Sequence, residues 1–283
     1  GGMRNGMVVA LIALGYLYVT AAAGAGEKPP RTALVFGADD RESLSHADIY
    51  DFKSVGVVVA GRSLGVGTLL ARGDIVVTAA HVVFDRTGAA RARRVVFLPD
   101  GASVKAVAVD LARSRAGNRR AGPGNLADDW AILALDEDVL AANTNQGFET
   151  MPLMPVEPDA IARDGGAIVH VSFLFGKSRY RKLINRRCRF YPKQPGDRLW
   201  DSPQTLLHDC DLPRPDNSGS PIFAERGGRH HLVALHQGGH HDWHGAPFDP
   251  RRNPQFALAL DDSFAAALDR YLAEHPPRQA ARQ

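Results

Sequence analysis

The sequence predicts an all-β chain in two halves followed by one helix, and three observations carry that prediction. Short runs of β-branched, aliphatic and aromatic residues recur along the chain, separated by Gly, Asp and Asn. A stretch rich in Asn, Pro and Glu, from about Ala141 to Pro158, divides those runs into two sets. Only near the end does the apolar period change from that of a strand to that of a helix. Many short strands punctuated in this way suit a sandwich or a barrel.

The first set begins with Val55–Ala60 and Gly65–Leu70, which read as adjacent strands around a turn at Gly61-Arg62-Ser63. Ile75–Ala80, Arg94–Leu98, Val104–Val109 and Trp130–Leu135 follow. The second set comprises Ala167–Val171, Lys182–Ile184, Cys188–Phe190, Thr205–His208, Pro221–Phe223 and Leu232–His236. Phe264, Ala265, Leu268, Tyr271 and Leu272 then share one helical face, with Ser263 as a cap and Pro276 as a stop. These breaks place the halves at 33–145 and 166–260, a crossover at 146–165, the helix at 261–275 and a tail at 276–283.

With 283 residues and 45% hydrophobic content, the chain can bury two cores. Its 34 Lys and Arg against 31 Asp and Glu give a net charge of +3, which singles out no partner and gives no reason to expect nucleic acid. Residues 1–25 read as a signal peptide or a membrane anchor. Arg4 precedes an uncharged stretch from Met7 to Ala23, and Ala21-x-Ala23 or Ala23-x-Ala25 offers small residues for cleavage. Residues 26–32 would be a linker or pro-segment. Export, to a periplasm or outside the cell, is the expectation, with stable membrane association only if the leader is retained. In an exported chain the two cysteines, Cys188 and Cys210, pair most simply as a disulfide, worth ~3 kcal/mol. Two buried free thiols are the alternative.

Three segments carry chemistry: Thr78-Ala79-Ala80-His81, Asp129-Trp130-Ala131-Ile132 and Asp216-Asn217-Ser218-Gly219-Ser220-Pro221. Acyl transfer by a serine needs a hydroxyl, a base to take its proton and an acid to orient that base. A histidine titrating near ~6.5 can take a proton at neutral pH and return it to a leaving amine. The order His, Asp, Ser along the chain is that of chymotrypsin-type enzymes.

On these motifs the chain resembles the trypsin-like (chymotrypsin-fold) serine endopeptidases, nearest the secreted bacterial glutamyl endopeptidase branch. Cys210-Asp211 and the early Asp39-Asp40-Arg41 add to the resemblance, which spans roughly residues 33 to 273. It implies two perpendicular six-stranded antiparallel Greek-key barrels with a C-terminal helix and a cleft between the barrels. It also implies a monomeric enzyme that acts on peptide or protein substrates and needs no cofactor or metal. By the same resemblance His81 is the base, Asp129 rather than Asp128 the orienting acid, and Ser218 rather than Ser220 the nucleophile. The backbone N–H groups of Asp216 and Ser218 would form the oxyanion hole. His236, Gln237, Gly238 and Gly239 would form the substrate-binding wall, where an extended peptide adds as a strand. A histidine at position 236 suits an acidic side chain before the scissile bond.

Two positions depart from the family pattern. Asp216 stands where glycine is usual: either its side chain points to solvent and its N–H is placed normally, or the hole is partly collapsed in the free protein or the activity is low. A protease homologue that merely binds peptides or a partner is the corresponding alternative. Asn217 stands where trypsin carries an aspartate that pairs with a freed amino terminus, so that activation route is not expected. Two charged clusters read as solvated surface. His240, His241, Asp242 and His244 match no metal-ligand spacing. Lys177, Arg179, Arg181, Lys182, Arg186, Arg187, Arg189 and Lys193 suit an exposed strand-loop-strand face.

Overall fold

The computed structural model describes residues 35–101, 104–121, 125–176, 180–194, 202–212, 215–239 and 245–277. The leader, the linker, the histidine-rich loop at 240–244, Lys177, Arg179 and the end of the tail lie outside the described residues.

In the first half, β2 (Val55–Ala60), β3 (Ser63–Leu69), β4 (Ile75–Thr78), β5 (Val95–Leu98), β6 (Val107–Ala116) and β7 (Ala131–Leu135) follow a three-residue strand, β1 (Arg41–Ser43), and a short helix, α1 (His46–Asp51). The six strands β2 to β7 form a closed barrel in the order β2-β3-β4-β7-β6-β5. Helix α2 (Ala80–Val83) follows β4, and α3 (Val139–Ala142) and α4 (Pro158–Asp164) lie in the connection between the halves. The second half holds β8 (Ile168–Phe175), β9 (Tyr180–Cys188), β10 (Phe190–Tyr191), β11 (Thr205–His208), β12 (Pro221–Arg226), β13 (Arg229–Gly239) and β14 (Gln255–Ala259), then α5 (Asp262–Glu274).

The second sheet has eight strands in the order β1-β9-β8-β12-β13-β14-β11-β10 and forms a half-barrel. Its connectivity repeats that of the first barrel. β8 pairs with β9 and β12, and β14 with β11 and β13, as in the first half β2 pairs with β3 and β5, and β7 with β4 and β6. The first barrel's β3–β4 ladder has no direct counterpart between β9 and β11. There β9 gives way at Arg189 to β10, which takes up the pairing with β11. The Cys188–Cys210 disulfide ties the ends of β9 and β11 together at this break.

Why β4 and β7 read as unbroken apolar runs is clear from their neighbours. All residues of both strands are buried, and alternate side chains point to opposite faces. Val76 and Leu133 join the interior of the first barrel with Val58, Leu69 and Phe97. Val77 and Ile132 face the other way, into a cluster that includes Phe223 and Leu258 of the second half. Helix α5 closes this shared core with Phe264, Leu268 and Tyr271, and Phe264 meets the Trp130 ring edge-on at 5.3 Å. Its cap is Asp261, not Ser263: the Asp261 carboxylate accepts the Phe264 N–H at 3.0 Å, while the Ser263 hydroxyl donates to that carboxylate.

The basic run is not uniformly solvated. Arg181 and Arg187 are exposed. Lys182 is enclosed between the halves, where it pairs with Asp100 and donates to the Phe52 carbonyl at 2.7 Å. Burial pushes its pKa down to about 8 despite that carboxylate. Acids for this run come from distant segments, which is why the local sequence shows none; Arg186 pairs with Asp48 of α1.

An N-terminal arm crosses onto the second half. Asp211 accepts the N–H of Phe36 on one oxygen and that of Asp40 on the other, both at 2.8 Å. Beyond it, β1 extends the sheet on β9. Burial raises the Asp211 pKa from 3.8 to about 6, against the two N–H groups that favour its charge. The native state therefore binds this proton more tightly than the unfolded chain does, so stability falls as pH rises from about 4 to about 6. Asp211→Asn lacks that titration. The gap between the urea midpoints of the unaltered protein and this variant is expected to narrow across the same window. A gap that widens would mean the two N–H donors outweigh burial.

Candidate active site

His81 lies in α2, one residue after the β4 segment has turned out of the barrel, and Thr78 anchors that turn by donating to the Val66 carbonyl at 2.7 Å. Asp129 lies two residues before β7, the neighbour of β4, so the barrel ladder brings the two side chains together. One Asp129 oxygen accepts the backbone N–H of His81 at 3.0 Å, and the other lies 2.6 Å from Nδ1 of the same residue. This carboxylate is fully buried, whereas Asp128 is exposed and has a positive φ of 51°. The bond to Nδ1 turns the other ring nitrogen of His81 away from Asp129.

Ser218 follows one turn of 3-10 helix over Pro215–Asn217. The turn is held from three sides. The Asn217 side chain accepts the Phe173 N–H at 2.6 Å and donates to the Phe173 carbonyl at 3.0 Å. Gly219 donates its N–H to His236, and the Ser218 carbonyl accepts from Val66. Both polar atoms of the Asn217 side chain are thus satisfied by the β8 backbone. Ser218 and His81 line one cleft of about 320 Å³, together with Val82, Asp216 and residues of the β2–β3 hairpin. The Ser218 hydroxyl itself donates to the Gln237 carbonyl at 3.0 Å. Ser220 is fully buried and hydrogen-bonded to His170 Nε2 at 2.7 Å, away from that cleft.

Asp216 has φ −71° and ψ 20°, a conformation open to any residue.

The His236–Gly239 stretch forms the end of β13, with a bulge between His236 and Gly238. Space beside Gly238 is open, since a Cβ there would meet nothing within 4 Å. The Gln237 side chain donates to the Asp129 carbonyl at 3.3 Å. Behind His236 sit two histidines that the motifs did not single out. His208 Nε2 lies 3.0 Å from His236 Nδ1, and the Cys210 N–H donates to His208 Nδ1. A backbone N–H can only donate, so His208 Nδ1 accepts and its proton sits on Nε2. That proton points at His236 Nδ1, which leaves the proton of a neutral His236 on Nε2. Burial pushes the pKa of His208 down to about 3, and burial beside His208 holds His170 well below the usual histidine range. His170 sits within an apolar buried strand and His208 ends another; a polar residue in such a run was the available signal.

The sequence model of the trypsin-like peptidase domain matches residues 56–235, more than half of the chain and inclusive of His81, Asp129 and Ser218. The chain belongs to that family. Among solved structures, this peptidase domain is similar to a Glu endopeptidase in complex with MPD, at 14% identity and a TM-score of 0.62, over 84% of this chain and 99% of that one. A thermostable serine protease, AL20, from an extremophilic microorganism matches at 16% identity and a TM-score of 0.55, over 80% and 98%. The protease Anisep from Arthrobacter nicotinovorans matches at 14% identity and a TM-score of 0.51, over 82% and 99%. Likeness at these identities speaks for the fold, a chymotrypsin-like arrangement of two β halves and a C-terminal helix. No curated protein matches the sequence.

Proposed function

We propose that this peptidase domain hydrolyses peptide bonds through His81, Asp129 and Ser218. The observation that carries the reading is the buried Asp129 carboxylate, 2.6 Å from His81 Nδ1, in a barrel edge that shares one cleft with Ser218. Asp129 keeps the His81 proton on Nδ1, so Nε2 is available to accept the Ser218 proton. The hydroxyl must first turn from the Gln237 carbonyl. Its oxygen then attacks the peptide carbonyl, and His81 passes the proton to the leaving amine. Water activated by the same imidazole then releases the acyl group. A fluorophosphonate probe is expected to label Ser218, and His81→Ala is expected to abolish the labelling. Equal labelling of both proteins would sink the reading.

A preference for Glu or Asp before the scissile bond is supported by His236. With Nδ1 occupied by His208, its remaining nitrogen is a donor, and the adjacent Gly238 leaves room for a side chain. Export is supported by the Cys188–Cys210 disulfide, which suits an oxidising compartment. The domain limits at 33–145, 166–260 and 261–275 belong to the same reading, as does a leader over 1–25.

The Pro215–Asn217 turn favours a second reading, a homologue with weak catalysis that mainly binds peptides. Asp216 lines the cleft beside Ser218, and a carboxylate there opposes the charge that develops on an oxyanion. One oxyanion-hole donor is worth about 10²–10³ in kcat. Asp216→Gly removes that carboxylate, and kcat is expected to rise about tenfold with little change in KM. An unchanged kcat would show that the carboxylate does not limit the reaction.

A further inference from the structure

The cleft beside His81 carries a charge pattern that the triad does not explain. Attack by Ser218 splits a peptide into an acyl part and a leaving amine. By the reading above, on which this inference rests, the acyl part lies along the His236–Gly239 end of β13. None of those residues lines the cleft; its walls come from the β2–β3 hairpin and from segments flanking His81. His81 is the group that protonates the leaving amine, so this space receives the residues that follow the scissile bond.

Two arginines stand in its wall. Arg91 donates from Nε to the His81 carbonyl at 2.9 Å, and its own N–H bonds to the Val83 carbonyl. Its guanidinium is thereby held beside the base while its terminal nitrogens remain to bind. Arg62 occupies the hairpin turn directly after Gly61, where a Cβ would come within 3.3 Å of Ala92 and 3.5 Å of the Arg91 carbonyl. Turn and loop are thus in contact, and both arginines flank one opening. Neither forms an ion pair with a described carboxylate. Asp85, on the same loop as Arg91, is hydrogen-bonded by Thr87 and Ala89 and senses the Arg91 charge without forming an ion pair with it. Asp216 is the one acid among the described lining residues. Two cations against one acid, in a concave site with Arg91 held in its wall, favour an anionic occupant.

We infer that Arg62 and Arg91 determine specificity on the leaving-group side and select peptides with acidic residues after the scissile bond. The test uses fluorogenic peptides identical up to the scissile bond, with Glu, Ala or Lys at the next two positions. For the unaltered protein, kcat/KM is expected to be about tenfold higher with Glu than with Ala. That ratio should shrink toward one in 1 M salt, where the screening length is ~3 Å. In the double variant Arg62→Glu, Arg91→Glu the order should invert, with Lys preferred. Because the readout is a ratio within each protein, partial misfolding does not distort it. Arg62→Gln, at an exposed turn position, gives a second variant in which the ratio should fall. Peptides cleaved equally well, or a ratio indifferent to salt and to both variants, would overturn this inference alone. If no peptide is cleaved, the protease reading fails and this one goes with it.

Discussion

Asp129→Asn is expected to lower kcat for peptide cleavage by about 10⁴-fold while the barrel stays folded. The cause is a tautomer. In the present structure one Asp129 oxygen accepts the His81 N–H and the other faces His81 Nδ1. An asparagine keeps its carbonyl oxygen on the backbone N–H, because only an acceptor suits that donor. Its amide nitrogen must then face Nδ1 and donate to it. The imidazole responds by moving its proton to Nε2, the nitrogen that has to accept from Ser218. Substitution leaves side-chain volume nearly unchanged, so the expected loss lies in kcat rather than in substrate binding. Nitrogen NMR of His81 provides an independent readout, in which the protonated nitrogen should switch from δ1 to ε2. A variant within tenfold of the unaltered kcat, or one whose tautomer does not change, would remove Asp129 from its role.

How legible the site was depends on whether chemistry was local in the chain. His81, Asp129 and Ser218 each sit in a short segment whose neighbours set the local geometry; His81 and Ser218 line one cleft, and Asp129 is buried against His81. The strands were legible for the same reason: Val55–Ala60 and Thr205–His208 match their predicted bounds. By contrast, β1 and β14 are held mainly by ladders to distant strands, and neither run stands out by composition. The capping box that starts α1, Ser45 with Asp48, was visible in principle but too short to carry a helix by itself. His208 and Asp211 gain their roles from partners 28 and 171–175 residues away, and no local pattern encodes such pairings. Lys182 shows the same limit in reverse: a charge run that looks solvated holds one buried member because Asp100 arrives from the other half.

Gly219→Ala is expected to cost roughly 2–5 kcal/mol of stability and at least ~100-fold in kcat/KM. Gly219 has a φ of +81°, a region that a residue with a Cβ occupies only with strain. Space is the larger obstacle. A Cβ there would fall 2.3 Å from Thr78 Oγ1, 2.4 Å from the Val66 carbonyl oxygen and 2.8 Å from the Ala79 nitrogen. Two of these three are backbone atoms of the first half, so no rotamer change can clear them. Either the Ser218 turn backs away or the Thr78–Ala79 segment does, and that segment leads directly into His81. Both movements separate the nucleophile from its base. Thr78→Ala in the same background should therefore recover only part of the stability, since the contacts with Val66 and Ala79 persist. Gly166→Ala serves as the comparison, with its nearest neighbour Asp164 Oδ2 at 3.6 Å, and should shift the urea midpoint little. If Gly219→Ala unfolds at the same midpoint as Gly166→Ala and cleaves at the unaltered rate, the two halves do not meet at this glycine as described. A full rescue by Thr78→Ala would instead place the whole conflict on one hydroxyl and leave the backbone approach of the two halves unneeded for catalysis.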